Sequence, residues 1–184
     1  FAMVIYHFIW DLGFFGFIEM HFVTSGFGLF IAQLIGGSFI FISGVSGRAL
    51  SLTQGFRKKF IQRLGKLVVI TLLITITTFL MNDSSFIFFG ILHFLAACSI
   101  VSLFLIYLER DQYLFLVCCA SIFLTLNLRG FDLPAYWCWL GFNNEVPHSN
   151  DFYPLFPWIN FYIIGFALGN TIIAYLTKIE KKYS

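Results

Sequence analysis

The sequence has little charge: only 11% of its 184 residues are Asp, Glu, Lys or Arg, against about 25% in a typical soluble domain. Hydrophobic residues make up 59%, so too little polar surface remains for the folded chain to be solvated by water. This composition is typical of an integral membrane protein. The net charge of +2 is also too small to indicate nucleic acid as a partner.

Several common motifs are missing as well. The four cysteines have no CxxC spacing, so nothing indicates a zinc site or a disulfide framework, and we predict no metal. The chain has neither a Walker motif nor a GxGxxG motif, which excludes an ordinary nucleotide-binding fold. Residues 1–10 lack the basic start and the small-residue cleavage site of a signal peptide. We interpret them as the later part of a spanning helix.

Six apolar runs approach the length needed to cross a bilayer, which takes about 20 residues of α-helix. They are too long for barrel strands and lack the alternation of strand sequences. We therefore predict an all-α integral membrane protein, a polytopic bundle of about six transmembrane helices formed by a single domain. The predicted spans are residues 1–16, which are truncated, 27–47, 64–81, 86–108, 113–129 and 156–176.

The charged residues are distributed unequally between the loops. Cations cluster between Arg48 and Lys66 and at the C-terminus, whereas the other loops carry mainly acids. The positive-inside rule therefore places both termini in the cytoplasm, as six spans allow. The loops 17–26, 82–85 and 130–155 then face outward.

His7 and Asp11 are ionisable residues in the first predicted span, where such groups are costly and usually functional. Their spacing of four places both side chains on one helix face. A carboxylate beside an imidazole fixes its tautomer and stabilises its protonated form, which suits a general base. The alternative is an interfacial hydrogen bond with a structural role only.

His93 lies in the fourth predicted span, roughly 10 Å below the outer boundary when counted from Phe86 at about 1.5 Å per residue. By itself it could be a neutral histidine bonded to a carbonyl of a neighbouring helix. Because its predicted depth is similar to that of His7 and Asp11, we expect the three residues to share a polar cavity.

The segment before the last span contains Asp151, Pro154, Pro157 and Trp158. The prolines interrupt helical structure, and Trp158 lies where an aromatic belt is expected. Asp151 could either belong to the start of the last helix or add a second carboxylate to an outward-facing site. We predict Asp151 and Trp158 as substrate-binding residues.

The cations of the first cytoplasmic loop are compatible with two uses. They can set the topology and bind anionic membrane lipid, or they can bind a phosphate-rich ligand in the cytoplasm. For the second use, the predicted binding residues are Arg48, Arg57, Lys59 and Arg63.

Three pairs of small residues have the four-residue spacing that lets helices approach closely. They are Ala32 and Gly36, Ser43 and Gly47, and Gly165 and Gly169. We expect them to pack helices within the chain, with a homodimer interface as the alternative.

Four stretches occur in an order and spacing that resemble a known family: MVIYHFIWDL, FIFISGVS followed by the basic loop, DSSFIFFGILHFLA, and SNDFYPLFPWINFYIIGFALG. They are similar to the bacterial branch of the membrane acetyltransferases related to heparan-alpha-glucosaminide N-acetyltransferase, its catalytic-domain family. The segments GILHF and DFYPLFPW are the specific ones. The family pattern usually begins with an Asp and an Arg-Gly pair before the first helix, and this sequence starts after that point.

The resemblance implies transfer of an acetyl group from cytoplasmic acetyl-coenzyme A to an amino sugar or other glycan outside a bacterial cytoplasmic membrane. It implies a catalytic histidine, and our candidate catalytic residues are His7, Asp11 and His93. In the lysosomal branch this histidine lies in the outer loop after the first helix, a place comparable to that of His21 here. His7 and His21 therefore compete, and we favour His7 because Asp11 lies on the same helix face.

A different class of function would use the same intramembrane His and Asp residues. A small proton-coupled transporter or flippase could relay protons through them. Inverted repeats, or helices broken by Gly or Pro in matching halves, would favour that interpretation, and neither is evident. A non-catalytic membrane scaffold would have no use for paired ionisable groups in its spans.

Overall fold

The computed structural model describes residues 1–19, 25–81, 86–107, 111–128, 130–131, 133–145 and 147–183. Within these residues the chain forms six α-helices, one short 3-10 helix and no β-strand, which confirms the predicted all-α class. The α-helices are α1 (Ala2–Phe14), α2 (Gly26–Ser51), α3 (Phe56–Met81), α4 (Ile91–Tyr107), α5 (Asp111–Leu128) and α6 (Leu155–Tyr183), with the 3-10 helix at Ala135–Leu140.

Among the described residues, three helices are long and apolar enough to cross a membrane, namely α2, α3 and the Leu155–Lys182 part of α6. The helices α1, α4 and α5 are apolar but shorter. The 17 residues of α4 extend over about 25 Å, slightly less than the bilayer hydrocarbon of about 30 Å. In a membrane, residues next to α4 therefore also lie close to the hydrocarbon, where backbone groups need partners within the protein.

The helix α3 begins at Phe56, whereas the sequence predicted a span beginning at residue 64. The basic segment that was predicted as a loop is therefore mostly helical, and only residues 52–55 connect α2 to α3. Lys, Arg and Gln are good helix formers, and Gly55 supplies the positive φ of 72° at the turn. With 26 residues, α3 extends over about 39 Å, so its basic first turns can lie outside the hydrocarbon.

The predicted loop between α5 and α6 contains the 3-10 helix, which the sequence analysis did not predict. It ends at Gly141, whose φ of 90° is in the left-handed region, and a side chain there would overlap the carbonyl oxygen of Phe156. Phe156 itself has an extended, non-helical conformation at the start of α6. The predicted interruption by Pro154 and Pro157 therefore coincides with a non-helical first turn.

The chain divides into two compact units, Phe1–Phe39 and Ile40–Ser184. In the first unit, the rings of Trp10 and Phe14 stack on α1 with centroids 5.2 Å apart. In the second unit, the last part of α2 forms one hydrophobic core with α4, α5 and α6. Its buried members are Ile40, Phe94, Leu95, Cys98, Leu105, Leu114, Ile159, Tyr162, Ile163 and Phe166.

Glycines bring α6 close to the last part of α2. A Cβ atom at Gly165 would overlap the carbonyl oxygen of Phe41, and a Cβ atom at Gly169 would press on the side chain of Arg48. The later glycine of α6 meets the later residue of α2, so the two helices run parallel. The small-residue pair of α6 therefore packs helices within the chain, while the homodimer interface stays a prediction.

We predict that Gly165→Ala destabilises the protein, because its methyl group has no room beside the Phe41 carbonyl and overpacking costs about 1–3 kcal/mol. Gly65→Ala is the matched control, since its methyl group on α3 meets nothing within 4 Å. Thermal unfolding in detergent should give a lower midpoint for Gly165→Ala and an equal or higher midpoint for Gly65→Ala. An unchanged midpoint for Gly165→Ala would contradict the close contact.

Candidate active site

His93 lies in the first turn of α4 and is held at both ring nitrogens. Its Nε2 is 2.9 Å from Oγ1 of Thr75 on α3, and its Nδ1 accepts a hydrogen bond of 3.3 Å from the backbone N–H of Gly90. The imidazole therefore connects α3 to the start of α4. This is close to the arrangement expected for His93 taken alone, although its partner on the neighbouring helix is a hydroxyl group and not a carbonyl.

Two threonines of α3 hold the peptide groups of Ile87. Oγ1 of Thr75 donates to the Ile87 carbonyl at 2.8 Å, and the Ile87 N–H donates to Oγ1 of Thr78 at 3.0 Å. Because Ile87 is outside any helix, these hydroxyl groups satisfy backbone groups that have no helical partner. The sequence analysis missed both threonines, since a hydroxyl in an apolar helix commonly bonds to its own backbone.

The carboxylate of Asp151 lies at the N-terminus of α4. Its Oδ2 accepts a hydrogen bond of 2.9 Å from the backbone N–H of Ile91, and a Cβ atom at Gly90 would overlap it. A negative charge is favourable there, because the first N–H groups of a helix lack helical partners and the helix dipole is positive at this end. Asp151 therefore holds the start of the helix that carries His93, while its predicted contact with substrate stays a prediction.

The chain on both sides of Asp151 is bound to the segment that precedes α4. Oγ of Ser149 donates to the Phe86 carbonyl at 3.0 Å, and the N–H of Tyr153 donates to the Phe89 carbonyl at 3.1 Å. The two segments are therefore joined by hydrogen bonds along their length. We call these segments, residues 86–91 and 149–153, the α4 junction.

Trp158 lies in an aromatic cluster beside the α4 junction. Its ring centroid is 5.1 Å from that of Tyr153 and 5.7 Å from that of Phe161. The side chain is partly buried and packs against the core of the second unit. These contacts show that Trp158 packs within the protein, and both its place in an aromatic belt and its role in substrate binding stay predictions.

A row of aromatic rings that the sequence analysis missed leads from the surface to His93. Its successive centroid distances are 5.9 Å, 5.9 Å, 5.5 Å and 6.1 Å through Tyr136, Trp137, Trp139 and Phe89. Tyr136 is 72% exposed, whereas Phe89 is partly buried against the core. The signal in the sequence was YWCW, three large aromatics within four residues of a loop.

His7 and Asp11 lie one turn apart on α1, in the first unit, and both side chains are exposed. The ring of Tyr6 meets the imidazole of His7 edge-on, with centroids 6.2 Å apart. In the described part of the chain no hydrogen bond joins the two side chains. Both residues stay candidates, and the cavity predicted to join them to His93 stays a prediction. His21 lies outside the described residues.

Two of the predicted phosphate-binding cations are bound within the second unit. Nε of Arg48 donates to Oδ1 of Asn170 at 2.9 Å, and its guanidinium group lies 5.4 Å from the ring centroid of Phe166. Arg63 donates to Oγ of Ser43 at 3.1 Å. Both arginines are partly buried, so they connect helices in addition to any role in ligand binding.

An open groove of about 350 Å³ follows the basic face of α3. Lys59, Arg63 and Lys66 recur every three or four residues, so their cations lie on one face of the helix. Lys66 was not among the binding residues predicted from the sequence. Arg57 was predicted, but it is exposed and does not line the groove. The groove is lined by Lys59, Gln62, Arg63, Lys66, Leu67 and Ile70.

The described ranges include all four cysteines of the chain. No group of three His, Cys, Asp or Glu side chains there could hold a metal ion. Cys138, within the row of aromatic rings, is partly buried, and this burial raises the pKa of its thiol. The thiol of Cys138 is therefore less readily ionised than a free cysteine, and the thiolate is the nucleophilic form.

Comparison with protein families shows to which family the chain belongs. The family described as heparan-alpha-glucosaminide N-acetyltransferase, catalytic, matches residues 1–183. The chain belongs to this family. The resemblance found in the sequence is therefore confirmed, and the family suggests a membrane acetyltransferase, for which acetyl-coenzyme A is the general co-substrate. The match does not favour a transporter, and neither a curated protein nor a solved structure matches the chain.

We predict that Asp151→Ala lowers the midpoint of thermal unfolding, because the Ile91 N–H loses its acceptor, and a lost helix cap costs about 0.5–2 kcal/mol. Asp151→Asn keeps an acceptor oxygen and should cost less. Glu145→Ala, which removes an exposed acid from the same connection, is the control and should leave the midpoint unchanged. Equal midpoints for Asp151→Ala and the wild type would contradict the capping role.

Proposed function

We propose that this protein transfers an acetyl group from cytoplasmic acetyl-coenzyme A to an amino sugar or other glycan outside a bacterial cytoplasmic membrane. Family membership supports acetyl transfer. The observation that supports a donor on one side of the membrane and an acceptor on the other is the separation of cations and hydroxyl groups along α3. The first turns of α3 form the basic groove, and Thr75 near its other end binds His93. Twelve residues separate Arg63 from Thr75, which corresponds to about 18 Å along the helix.

The proposal includes six spans with both termini in the cytoplasm. In that topology the second and sixth spans run in the same direction, and the parallel packing of α6 against the last part of α2 supports this. The cations at the start of α3 and the acids of the connection before α6 support the same orientation, since cationic loops stay in the cytoplasm. The shorter helices α1, α4 and α5 complete the count.

The basic groove is proposed to bind the phosphate groups of acetyl-coenzyme A. Arg and Lys form charge-assisted hydrogen bonds with phosphate oxygens, and Lys59, Arg63 and Lys66 present three cations on one face. Arg48 and Arg57 flank this face at the end of α2 and the start of α3. Because the phosphates and the thioester lie at opposite ends of coenzyme A, the acetyl group can extend along α3 away from the cations. Anionic membrane lipid is a second proposed partner of the same cations.

The proposed reaction is a proton-assisted attack on the thioester. A histidine accepts the proton of the acceptor amine or hydroxyl. At the same time the nitrogen or oxygen of the acceptor forms a bond to the acetyl carbonyl carbon. The carbon–sulfur bond then breaks, and the sulfur of coenzyme A leaves as the thiol with the proton that the histidine had accepted. We assign the base to His7 with Asp11, keep His93 as a further candidate catalytic residue, and assign Asp151 and Trp158 to the acceptor. An acetyl-histidine intermediate would use the same residues.

Neutralising the groove should weaken the binding of acetyl-coenzyme A. In Lys59→Gln/Lys66→Gln we expect Kd to rise at least about tenfold, because hydrogen bonds to charged groups contribute about 1.5–3 kcal/mol. Calorimetric titration of the purified protein in detergent measures this. Lys178→Gln/Lys181→Gln removes the same charge from an exposed part of α6 and should change Kd less than about twofold. An equal effect of both pairs would rule out a specific site in the groove.

Substitution of each histidine identifies the base. His7→Ala should abolish acetyl transfer to a hexosamine and leave the binding of acetyl-coenzyme A largely intact, since general base catalysis contributes about 10²–10⁴-fold to the rate. His148→Ala, in the connection before α6, is the control and should retain turnover. Retained turnover in His7→Ala would move the role to His21 or His93, which the corresponding alanine variants distinguish. Isotope transfer from labelled acetyl-coenzyme A gives the readout.

A further inference from the structure

The hydrogen bonds around His93 determine where its proton lies. The hydroxyl group of Thr75 has one proton, and it donates this proton to the Ile87 carbonyl at 2.8 Å. The contact of 2.9 Å between Oγ1 and Nε2 must therefore receive its proton from the imidazole. At the other nitrogen, the N–H of Gly90 can only donate, so Nδ1 presents a lone pair. Both sides require a neutral ring protonated at Nε2.

We propose that Thr75 is the positioning residue of His93, holding the ring in its Nε2–H tautomer so that Nδ1 is the nitrogen able to accept a proton. The reverse tautomer is disfavoured on both sides. A proton on Nδ1 would point at the N–H of Gly90, and Nε2 would take the Thr75 proton from the Ile87 carbonyl. That carbonyl would then lose a partner outside any helix, which is costly at membrane depth.

The two hydrogen bonds of His93 differ in length, and the bond at Nδ1, the nitrogen that would accept a proton, is the longer one. The Gly90 contact of 3.3 Å is longer than the usual 2.9–3.0 Å for such a bond, so it is the weaker of the two and the one that is lost when Nδ1 takes up a proton. The Thr75 contact of 2.9 Å is short and continues to a backbone carbonyl, so Nε2 stays in place. The link to acetyl transfer rests on the proposed function, in the alternative in which the base is His93 and not His7: Nδ1 then takes up the acceptor proton while Thr75 stabilises the ring.

Thr78 provides a matched comparison one turn along α3. It accepts a hydrogen bond of 3.0 Å from the other backbone group of Ile87, its N–H, and donates to the Ile74 carbonyl at 2.8 Å. Its hydroxyl group therefore has the same supporting role at the α4 junction without the contact to the imidazole. A property that depends on Thr75 but not on Thr78 belongs to His93 and not to the junction as a whole.

Nitrogen NMR of the intact chain, labelled with ¹⁵N at its histidines and held in lipid nanodiscs, tests the proposal directly. At about pH 8 a histidine of ordinary pKa is neutral, and His93→Gln identifies the resonances of His93. We expect a protonated Nε2 and an unprotonated Nδ1 in the wild type, in Thr75→Ser and in Thr78→Val. In Thr75→Val we expect both tautomers. A protonated Nδ1 in the wild type would overturn the proposal even if Thr75→Val failed to fold, and so would an unchanged spectrum in Thr75→Val.

Turnover separates the positioning role from the proposed function. Thr75→Val should lower kcat by about 10²-fold or more with little change in KM for acetyl-coenzyme A, and Thr75→Ser should restore it. An equal loss in Thr75→Val and Thr78→Val would reduce Thr75 to a structural residue and overturn the positioning role. Full turnover in His93→Gln would instead remove His93 from the proposed reaction, while the NMR result would still decide the tautomer.

Discussion

Backbone N–H and C=O groups near bilayer hydrocarbon must find hydrogen-bond partners inside the protein, and the α4 junction depends on this constraint. Residues 86–90 lie before the start of α4 and outside any helix, so their peptide groups need hydrogen-bond partners in other elements. Thr75 and Thr78 bind the two sides of Ile87, and Asp151 binds the first N–H of α4. Thr75 also contacts His93. The hydroxyl group that satisfies the backbone carbonyl of Ile87 therefore also holds the imidazole of the candidate site.

The helix α3 connects two regions of different chemistry. Its first turns carry cations along a groove, and its later turns carry hydroxyl groups that reach the α4 junction. A substrate with phosphate groups at one end and a reactive acyl group at the other suits a helix of this kind. Membership in an acetyltransferase family is consistent with such a substrate, although the two observations are independent.

The sequence predicted those properties that depend on local composition. Apolar runs predicted the α-helices, and four short stretches predicted the family. The start of α3 was placed too late, because cations outside the hydrocarbon are as helical as apolar residues within it. The cost of a buried charge selected Asp151, but spacing along the chain could not show that its partner is Ile91, 60 residues away. Thr75 was missed for the same reason, since only the tertiary fold brings it to His93. The roles of His7 and Asp11 stay predictions.

The imidazole of His93 and its hydroxyl partner belong to different helices, and this has a consequence for the surrounding lipid. A change in bilayer thickness changes the tilt of spanning helices, and the hydroxyl group of Thr75 on α3 is bonded to the imidazole on α4. A change in the tilt of α3 against α4 would alter the 2.9 Å contact between Thr75 and His93 before it disturbed the packed core. Bilayer thickness would then act on the hydrogen bond that holds the imidazole of His93.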